Sequence, residues 1–256
     1  MIKKINHYWR IIATGICFSY FGIGALVLTL LVFPFQKLIY QNKSTQKKVA
    51  RRTVHVTFKW FIAFMQCSGV FKFELDKVQP LKKLRGHLIL ANHPSLIDVV
   101  VLISVIPNAD CVVKAHLFKN PFLRGVVSNT GYISNKDPEG LLNDCSETLA
   151  AGNNLIIFPE GTRTQKNKSV HFLRGASNIA VRCQSKITCV IIDLQPSTLT
   201  KSEPWYKVPP RRAHFKANIV NGYPALPTYN LESISQDVRQ FNRELEAYFI
   251  HELENV

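Results

Sequence analysis

Residues 87–98 read HLILANHPSLID, and residues 154–164 read NLIIFPEGTRT. Each opens with a short apolar run of strand length and then turns abruptly polar. HLILA (87–91) leads into Asn92-His93-Pro94, and NLIIF (154–158) into Pro159-Glu160-Gly161-Thr162-Arg163. Similar runs occur at FKFEL (71–75), ADCVVK (109–114), ITCVIIDL (187–194) and FKANIV (215–220), while helical spacing or helix-start signals mark 94–106, 138–152, 173–184 and the closing amphipathic stretch 233–253. Pro94 and Pro138 suit a first helical turn, and Gly152 suits a stop. This alternation predicts the α/β class: a mixed, largely buried sheet flanked by helices. In open α/β sheets ligands collect beyond the carboxyl ends of strands, so parallel pairing of the two quoted runs would put both polar motifs in one cleft.

Outward from these runs, the chain is uneven in charge. Its 256 residues carry a formal net charge of +15. Eleven Lys or Arg precede the first acid, Glu74, whereas beyond residue 221 the acids Glu232, Asp237, Glu244, Glu246, Glu252 and Glu254 face only Arg239 and Arg243. A uniformly basic surface would point to nucleic acid; basicity gathered around an apolar segment points to anionic lipid. That segment, Ile11 to Gln36, has 26 residues and no charge. It is long enough for a hydrocarbon core of about 30 Å and too long for a signal-peptide apolar region.

Lys3, Lys4 and Arg10 precede it, and Lys37, Lys43, Lys47, Lys48, Arg51 and Arg52 follow. The heavier basic flank is C-terminal, which places the remaining chain on the cytoplasmic side of the membrane. Gly15, Gly22, Gly24 and Pro34 permit a bend, so an in-plane arrangement paired with the amphipathic stretch 54–71 stands beside a spanning one. The expected division is a membrane-associated helical region with a basic linker over 1–70, residues 37–52 acting as hinge, and a catalytic domain over 71–256. Cys17, Cys67, Cys111, Cys145, Cys183 and Cys189 form no CxxC pair and read as reduced thiols, with no zinc spacing. The Asn-x-Ser sequons at Asn42 and Asn167 carry no weight on a cytoplasmic face.

The polar motifs suggest chemistry. Asp98 lies about one helical turn beyond His93, close enough for its carboxylate to accept a hydrogen bond from the imidazole, fix the tautomer and leave the other nitrogen as a general base. The bland alternative is a hydrogen-bonded histidine near a helix start. In FPEGTRT, Gly161 lets backbone approach a ligand, Thr162 offers a hydroxyl, and Arg163 presents a fork suited to phosphate, with Glu160 placed to orient that fork. The alternative there is a solvated turn with a local ion pair.

With NHPSLID (92–98), GYISNK (131–136), FPEGTR (158–163) and FLRGASNIA (172–180) in order, the sequence resembles the glycerolipid acyltransferase family that includes 1-acylglycerol-3-phosphate acyltransferases. The resemblance implies a membrane-bound O-acyltransferase in which His93, supported by Asp98, deprotonates an acceptor hydroxyl that attacks the thioester of acyl-CoA or acyl-carrier protein. Backbone donors near the helix start would meet the oxyanion. Glu160, Gly161, Thr162 and Arg163 would hold the acceptor's phosphate, with Lys136 and Arg174 as further basic contacts. No cofactor or metal is implied, and the expected partners are membrane lipid and the acyl donor. Two departures, Asn135 where an acid is common and a proline-free ITCVIIDL ending in Asp193-Leu194, fall in regions expected to shape the acceptor site. They leave room for a specialised acceptor.

Three rivals remain in view. A serine hydrolase lacks its Gly-x-Ser-x-Gly, and a nucleotide enzyme lacks a P-loop or dinucleotide fingerprint. A non-catalytic basic protein accounts for the charge but not for the paired motifs. Basic residues beyond the motifs (Lys82, Lys83, Arg85, Arg211, Arg212, Lys216) suit an acidic carrier protein, anionic lipid or plain solvation.

Overall fold

The computed structural model describes residues 2–165, 169–201 and 203–255; the Asn167 sequon lies outside them. In chain order the elements are helix α1 (Ile2–Val27), a π-helical stretch (Leu28–Val32), α2 (Phe33–Ile39), α3 (Lys43–Cys67), strand β1 (Phe71–Glu74), a 3-10 segment (Asp76–Lys83), β2 (His87–Ala91) and α4 (Asp98–Val105). Then follow β3 (Ala109–Val113), a second 3-10 segment (Ala115–Lys119), α5 (Arg124–Thr130), β4 (Ile133–Ser134), α6 (Pro138–Ala150), β5 (Asn154–Ile157), α7 (Arg174–Cys183), β6 (Lys186–Gln195), β7 (Ala213–Val220) and α8 (Ile234–Glu254).

The strands form one seven-stranded mixed sheet in the order β1-β7-β6-β2-β5-β3-β4, with every neighbouring pair parallel except β6 and β7. Side-chain chemistry explains the order. After their first residues, His87 and Asn154, HLILA and NLII are wholly apolar and buried, as central parallel strands covered on both faces must be. β1 and β7 alternate instead: Phe71, Phe73, Ala213, Phe215 and Ala217 face the core, while Lys72, His214 and Lys216 take the opposite parity. That alternation belongs to strands with one open face, and these two stand at one side of the sheet. One apolar layer joins α3, α4 and the even-numbered side of β6; the other joins α7, α8 and its odd-numbered side.

The six strand runs are found within a residue or two of their expected bounds, with β4 and α5 in addition. Pro138 is helical from its first turn, capped by Asp137, whose carboxylate accepts from the Glu139 and Gly140 N–H groups. Pro94 is not: α4 starts at Asp98, preceded by a bend and turn over 95–97.

The expected hinge over 37–52 is also corrected. Only Tyr40–Asn42 interrupt the helices, and the Asn42 side chain caps α3 by accepting from the Ser44 and Thr45 N–H groups. Arg51, expected to face lipid, is buried. Its Nη2 meets Asp110 Oδ2 at 2.6 Å and its Nε donates to the Thr130 carbonyl at 2.8 Å, while Thr148 Oγ1 donates to the same Asp110 oxygen at 2.7 Å.

Helices α1 and α2 with the π-helical stretch form one continuous apolar rod, long and apolar enough over Lys4–Ile39 to cross a membrane. The widened turn lies immediately before Pro34, whose ring would otherwise meet the carbonyl of Leu30. Two of the rod's three glycines sit at contacts, while Gly24 faces open space. Gly15 meets the Trp205 ring and Gly22 faces Phe122. One side of the rod is held along its length: Arg10 donates to the carbonyls of Pro209 and Pro210, Tyr20 stacks on Phe64, and Thr29 lies against Gly125. The other side is bare, with Leu30, Leu31 and Leu38 67, 66 and 75 % exposed.

Removing one partner of a buried, hydrogen-bonded ion pair leaves a charge without compensation and costs about 3–5 kcal/mol. Arg51→Ala is therefore expected to lower unfolding stability by roughly that amount, and Arg51→Met with Asp110→Leu to recover most of it. Denaturant unfolding in detergent measures both.

Candidate active site

The pairing of β2 with β5 places Leu88 opposite Leu155 and Leu90 opposite Ile157. Carried past the strand ends, the same offset sets His93 opposite Glu160, and there a side chain takes over from the ladder. The His93 N–H donates to Glu160 Oε1 at 2.8 Å, and Thr164 donates its N–H to the His93 carbonyl at 2.7 Å and its hydroxyl to Glu160 Oε1 at 2.9 Å. On the other flank, the buried amide of Asn92 imitates a peptide of β6. Its Nδ2 donates to the Ile192 carbonyl at 2.8 Å and its Oδ1 accepts from the Ile192 N–H at 2.7 Å. The backbone at His93 is thus gripped from both neighbouring strands.

The His93 side chain is held as firmly. Its Nδ1 lies 2.7 Å from Asp98 Oδ2, which also accepts from the Ser95 N–H at 2.8 Å. The ring stacks on Phe158 with centroids 4.2 Å apart. A carboxylate at Nδ1 selects the tautomer with its proton there and leaves the lone pair on Nε2. Nε2 has no hydrogen-bond partner among the described residues. Asp98 is fully buried, and burial pushes its carboxyl above the ordinary range, opposed first by the hydrogen bond to His93.

The second motif is built differently from the expectation. Glu160 does not orient Arg163; it positions the His93 backbone. Burial raises the Glu160 carboxyl, against the pull of the His93 and Thr164 donors. Arg163 Nη1 donates instead to the carbonyls of Leu199 and Thr200, at 2.9 and 3.0 Å. The same loop after β6 receives Ser95 Oγ at the Thr198 carbonyl and the Leu96 N–H at the Leu199 carbonyl, so it is sewn to both motifs. These bonds also commit two of the backbone donors expected to meet an oxyanion: the N–H of Ser95 serves Asp98 and that of Leu96 serves Leu199. Gly161 has φ +63°, and a Cβ there would lie 2.5 Å from Leu173 Cδ1, so the turn itself requires glycine. Thr162 is half-buried, with no hydrogen bond among the described residues.

Lys136 and Arg174 are exposed, Lys136 in the turn after β4 and Arg174 at the start of α7, directly after Leu173, whose N–H donates to the Pro159 carbonyl. Neither departure expected to shape the acceptor site touches the dyad. Asn135 Oδ1 accepts from the Ala115 N–H, tying the turn after β4 to the end of β3, and Asp193 stands among the outward residues of β6. Sequence reasoning overlooked Thr164 and the 196–200 loop, and read Ser95 only as a helix-start hydroxyl, whereas its N–H serves Asp98 and its Oγ the Thr198 carbonyl. Thr164 had a signal in its position directly after the motif; the loop had none.

A family model described as Acyltransferase matches residues 72–193, the span that contains both motifs. The 1-acyl-sn-glycerol-3-phosphate acyltransferase of Helicobacter pylori is 35 % identical over 197 residues, covering 74 % of each chain. The chain belongs to the acyltransferase family. A chloroplastic 1-acyl-sn-glycerol-3-phosphate acyltransferase of Brassica napus is 27 % identical over 66 % of this acyltransferase, which spans 49 % of the plant protein. The fold matches the crystal structure of the 1-acyl-sn-glycerophosphate (LPA) acyltransferase PlsC from Thermotoga maritima with a TM-score of 0.62 at 17 % identity, over 96 % of this chain and 97 % of that one.

Glu160→Ala removes the acceptor that positions His93, and a displacement of about 1 Å at a reacting group costs about 100-fold in rate. That loss is expected for the alanine variant, with Glu160→Gln retaining more activity because it keeps the acceptor oxygen. A raised carboxyl means that the folded chain holds the proton more tightly than the unfolded one. Its contribution is present below the ordinary carboxylate value and lost as pH rises through the raised one. Glu160→Gln lacks that dependence, so its thermal midpoint relative to wild type is expected to rise in that window, as melts from acidic to neutral pH would show.

Proposed function

We propose that this acyltransferase moves a fatty acyl chain from acyl-CoA or acyl-carrier protein to the free hydroxyl of 1-acylglycerol-3-phosphate or a closely related lysophospholipid. The observation that carries the reading is the His93–Asp98 pair, with Nε2 unpartnered among the described residues, on the same sheet edge as the Glu160–Arg163 turn. The substrate class comes from the names of the relatives.

In this reading His93 Nε2 takes the hydroxyl proton as the oxygen attacks the thioester carbonyl. Asp98 stabilises the imidazolium that forms. When the tetrahedral intermediate collapses, the carbon–sulfur bond breaks and the imidazolium returns the proton to the departing sulfur. No covalent acyl-enzyme is needed. The acceptor phosphate is held by the part of the Arg163 guanidinium turned away from the 196–200 loop and by the Thr162 hydroxyl, with Arg174 and Lys136 farther out. Leu96 and Leu173, exposed beside the two motifs, offer apolar surface to the acyl chains.

The bare side of the N-terminal rod and the exposed Lys43, Lys47, Lys48 and Arg52 of α3 are the membrane contact, with the catalytic domain on the cytoplasmic side. Because the rod is fastened to the domain from Arg10 to Thr29, an arrangement lying within one leaflet fits better than a free crossing helix.

General acid–base catalysis contributes about 10²–10⁴-fold, so His93→Ala is expected to lose at least that much turnover and Asp98→Asn a smaller part of it. Esterified product formed from acyl-CoA and from acyl-carrier protein, with a panel of lysophospholipids, measures this; a His93→Ala variant as active as wild type would defeat the reading. Burying a leucine side chain is worth about 1.5–3 kcal/mol, so Leu30→Glu with Leu38→Glu is expected to lower partition into anionic vesicles by about 100-fold or more. Vesicle flotation of the purified variant tests that.

A further inference from the structure

The sheet carries an uncovered patch at the end of β6. Helices α7 and α8 pack on the side of β6 that presents Ile187, Cys189 and Ile191, but beyond Ile191 that side is open. Strand pairing aligns Gln195 with His214 and His214 with Lys72, and places Lys216 beside Asp193 on β6 and beside Glu74 on β1. The result is a bowl of about 380 Å³, closed at one rim by Arg211 and Arg212. Arg212 is partly committed, since its Nε donates to the Phe71 carbonyl and its Nη2 to that of Gln66. Lys72, Arg211 and Lys216 have no ion pair among the described residues. Of the nearby acids, Glu74 pairs with His214, and Asp193 is the acid in the lining.

Four permanent cations against one lining carboxylate call for a polyanion. The bowl opens on the α7–α8 side of the sheet, whereas the apolar rod and α3 pack on the other, so the arrangement suits a water-soluble anion better than a bilayer headgroup. It also lies at the carboxyl end of β6, the edge on which His93 stands. Strands are about 4.8 Å apart, so β7 is about 10 Å across the sheet from β2.

We propose that this bowl binds the phosphorylated nucleotide of coenzyme A and so anchors the acyl donor, its pantetheine arm crossing the sheet edge to His93. The assignment rests on the acyl-transfer reading above. A phosphomonoester and a pyrophosphate together carry about four negative charges near neutral pH, matching the lining better than a phospholipid phosphodiester does. The concave shape suits a nucleotide better than the convex acidic surface of a carrier protein.

The test uses the full chain in detergent, titrated calorimetrically with adenosine 3′,5′-bisphosphate. Wild type and His93→Ala are expected to bind alike, and Arg211→Glu with Lys216→Glu to bind about 100-fold more weakly, about tenfold for each charge-assisted contact. Arg211→Gln with Lys216→Gln, which adds no acid beside Asp193, should weaken binding in the same direction if the glutamate variant fails to fold. In turnover, the preference for acyl-CoA over an acyl-pantetheine lacking the nucleotide should fall about tenfold or more in the variants. Unchanged nucleotide affinity, or no binding by wild type, overturns the proposal; so does a variant whose KM rises for acyl-carrier protein alone. Nucleotide binding that depends on Arg211 and Lys216, in a chain that esterifies no acceptor, would sustain the bowl and defeat the acyl-transfer reading instead.

Discussion

The register between β2 and β5 is the constraint on which the site depends. Parallel pairing with a fixed offset carries two loops off the same edge at the same height, so residues far apart in sequence meet where the ladder ends. His93 and Glu160 meet there because their strands are already aligned from Leu88 and Leu155 onward. A hydrogen bond from backbone to a buried carboxylate holds position better than one between two mobile side chains, since only one partner has rotamer freedom to lose. The imidazole is positioned through its own main chain, through Asp98 and through the Phe158 ring.

A second constraint fastens α3, which packs beside the rod, to this frame. Arg51 reaches from α3 to Asp110 on β3, and its guanidinium is satisfied by that carboxylate and by the end of α5. Such a pair adds little net stability over apolar packing, but it has one geometry. It fixes how α3, and with it the bare side of the rod, sits relative to the catalytic edge. Under the proposed function that relation matters, because a membrane contact along the bare side of the rod would set the height of the site above the lipid.

The sheet also divides labour along its width. Its central parallel strands are buried on both faces and supply rigidity, whereas β1 and β7, antiparallel to the rest, bury one face only. The open face next to the edge that carries His93 is where charge can gather without desolvation, and the basic side chains of β1 and β7 stand there. Their alternation with Phe71, Phe73 and Phe215 is the same pattern that made them readable as strands.

Much of this was legible in the residues. Period and composition determine the strand runs, the α/β class, the apolar rod and the pairing of His93 with Asp98, because each depends on local patterning or on a separation of a few residues. Family resemblance through NHPSLID and FPEGTR adds the chemistry. What the sequence could not show depends on contacts across tens of residues. Arg51 sits in a basic run and reads as lipid-facing, yet Asp110 draws it inside; Arg163 reads as a phosphate fork, yet part of it is spent on the 199–200 carbonyls. One local reading also failed: Pro94 reads as a helix start, yet the nearby Asp98 takes the Ser95 N–H and the helix begins four residues later. Local sequence states which groups a residue can offer. Only the tertiary structure decides which partners reach them, because burial makes an unpaired charge or N–H too costly to leave and the fold determines what lies within reach.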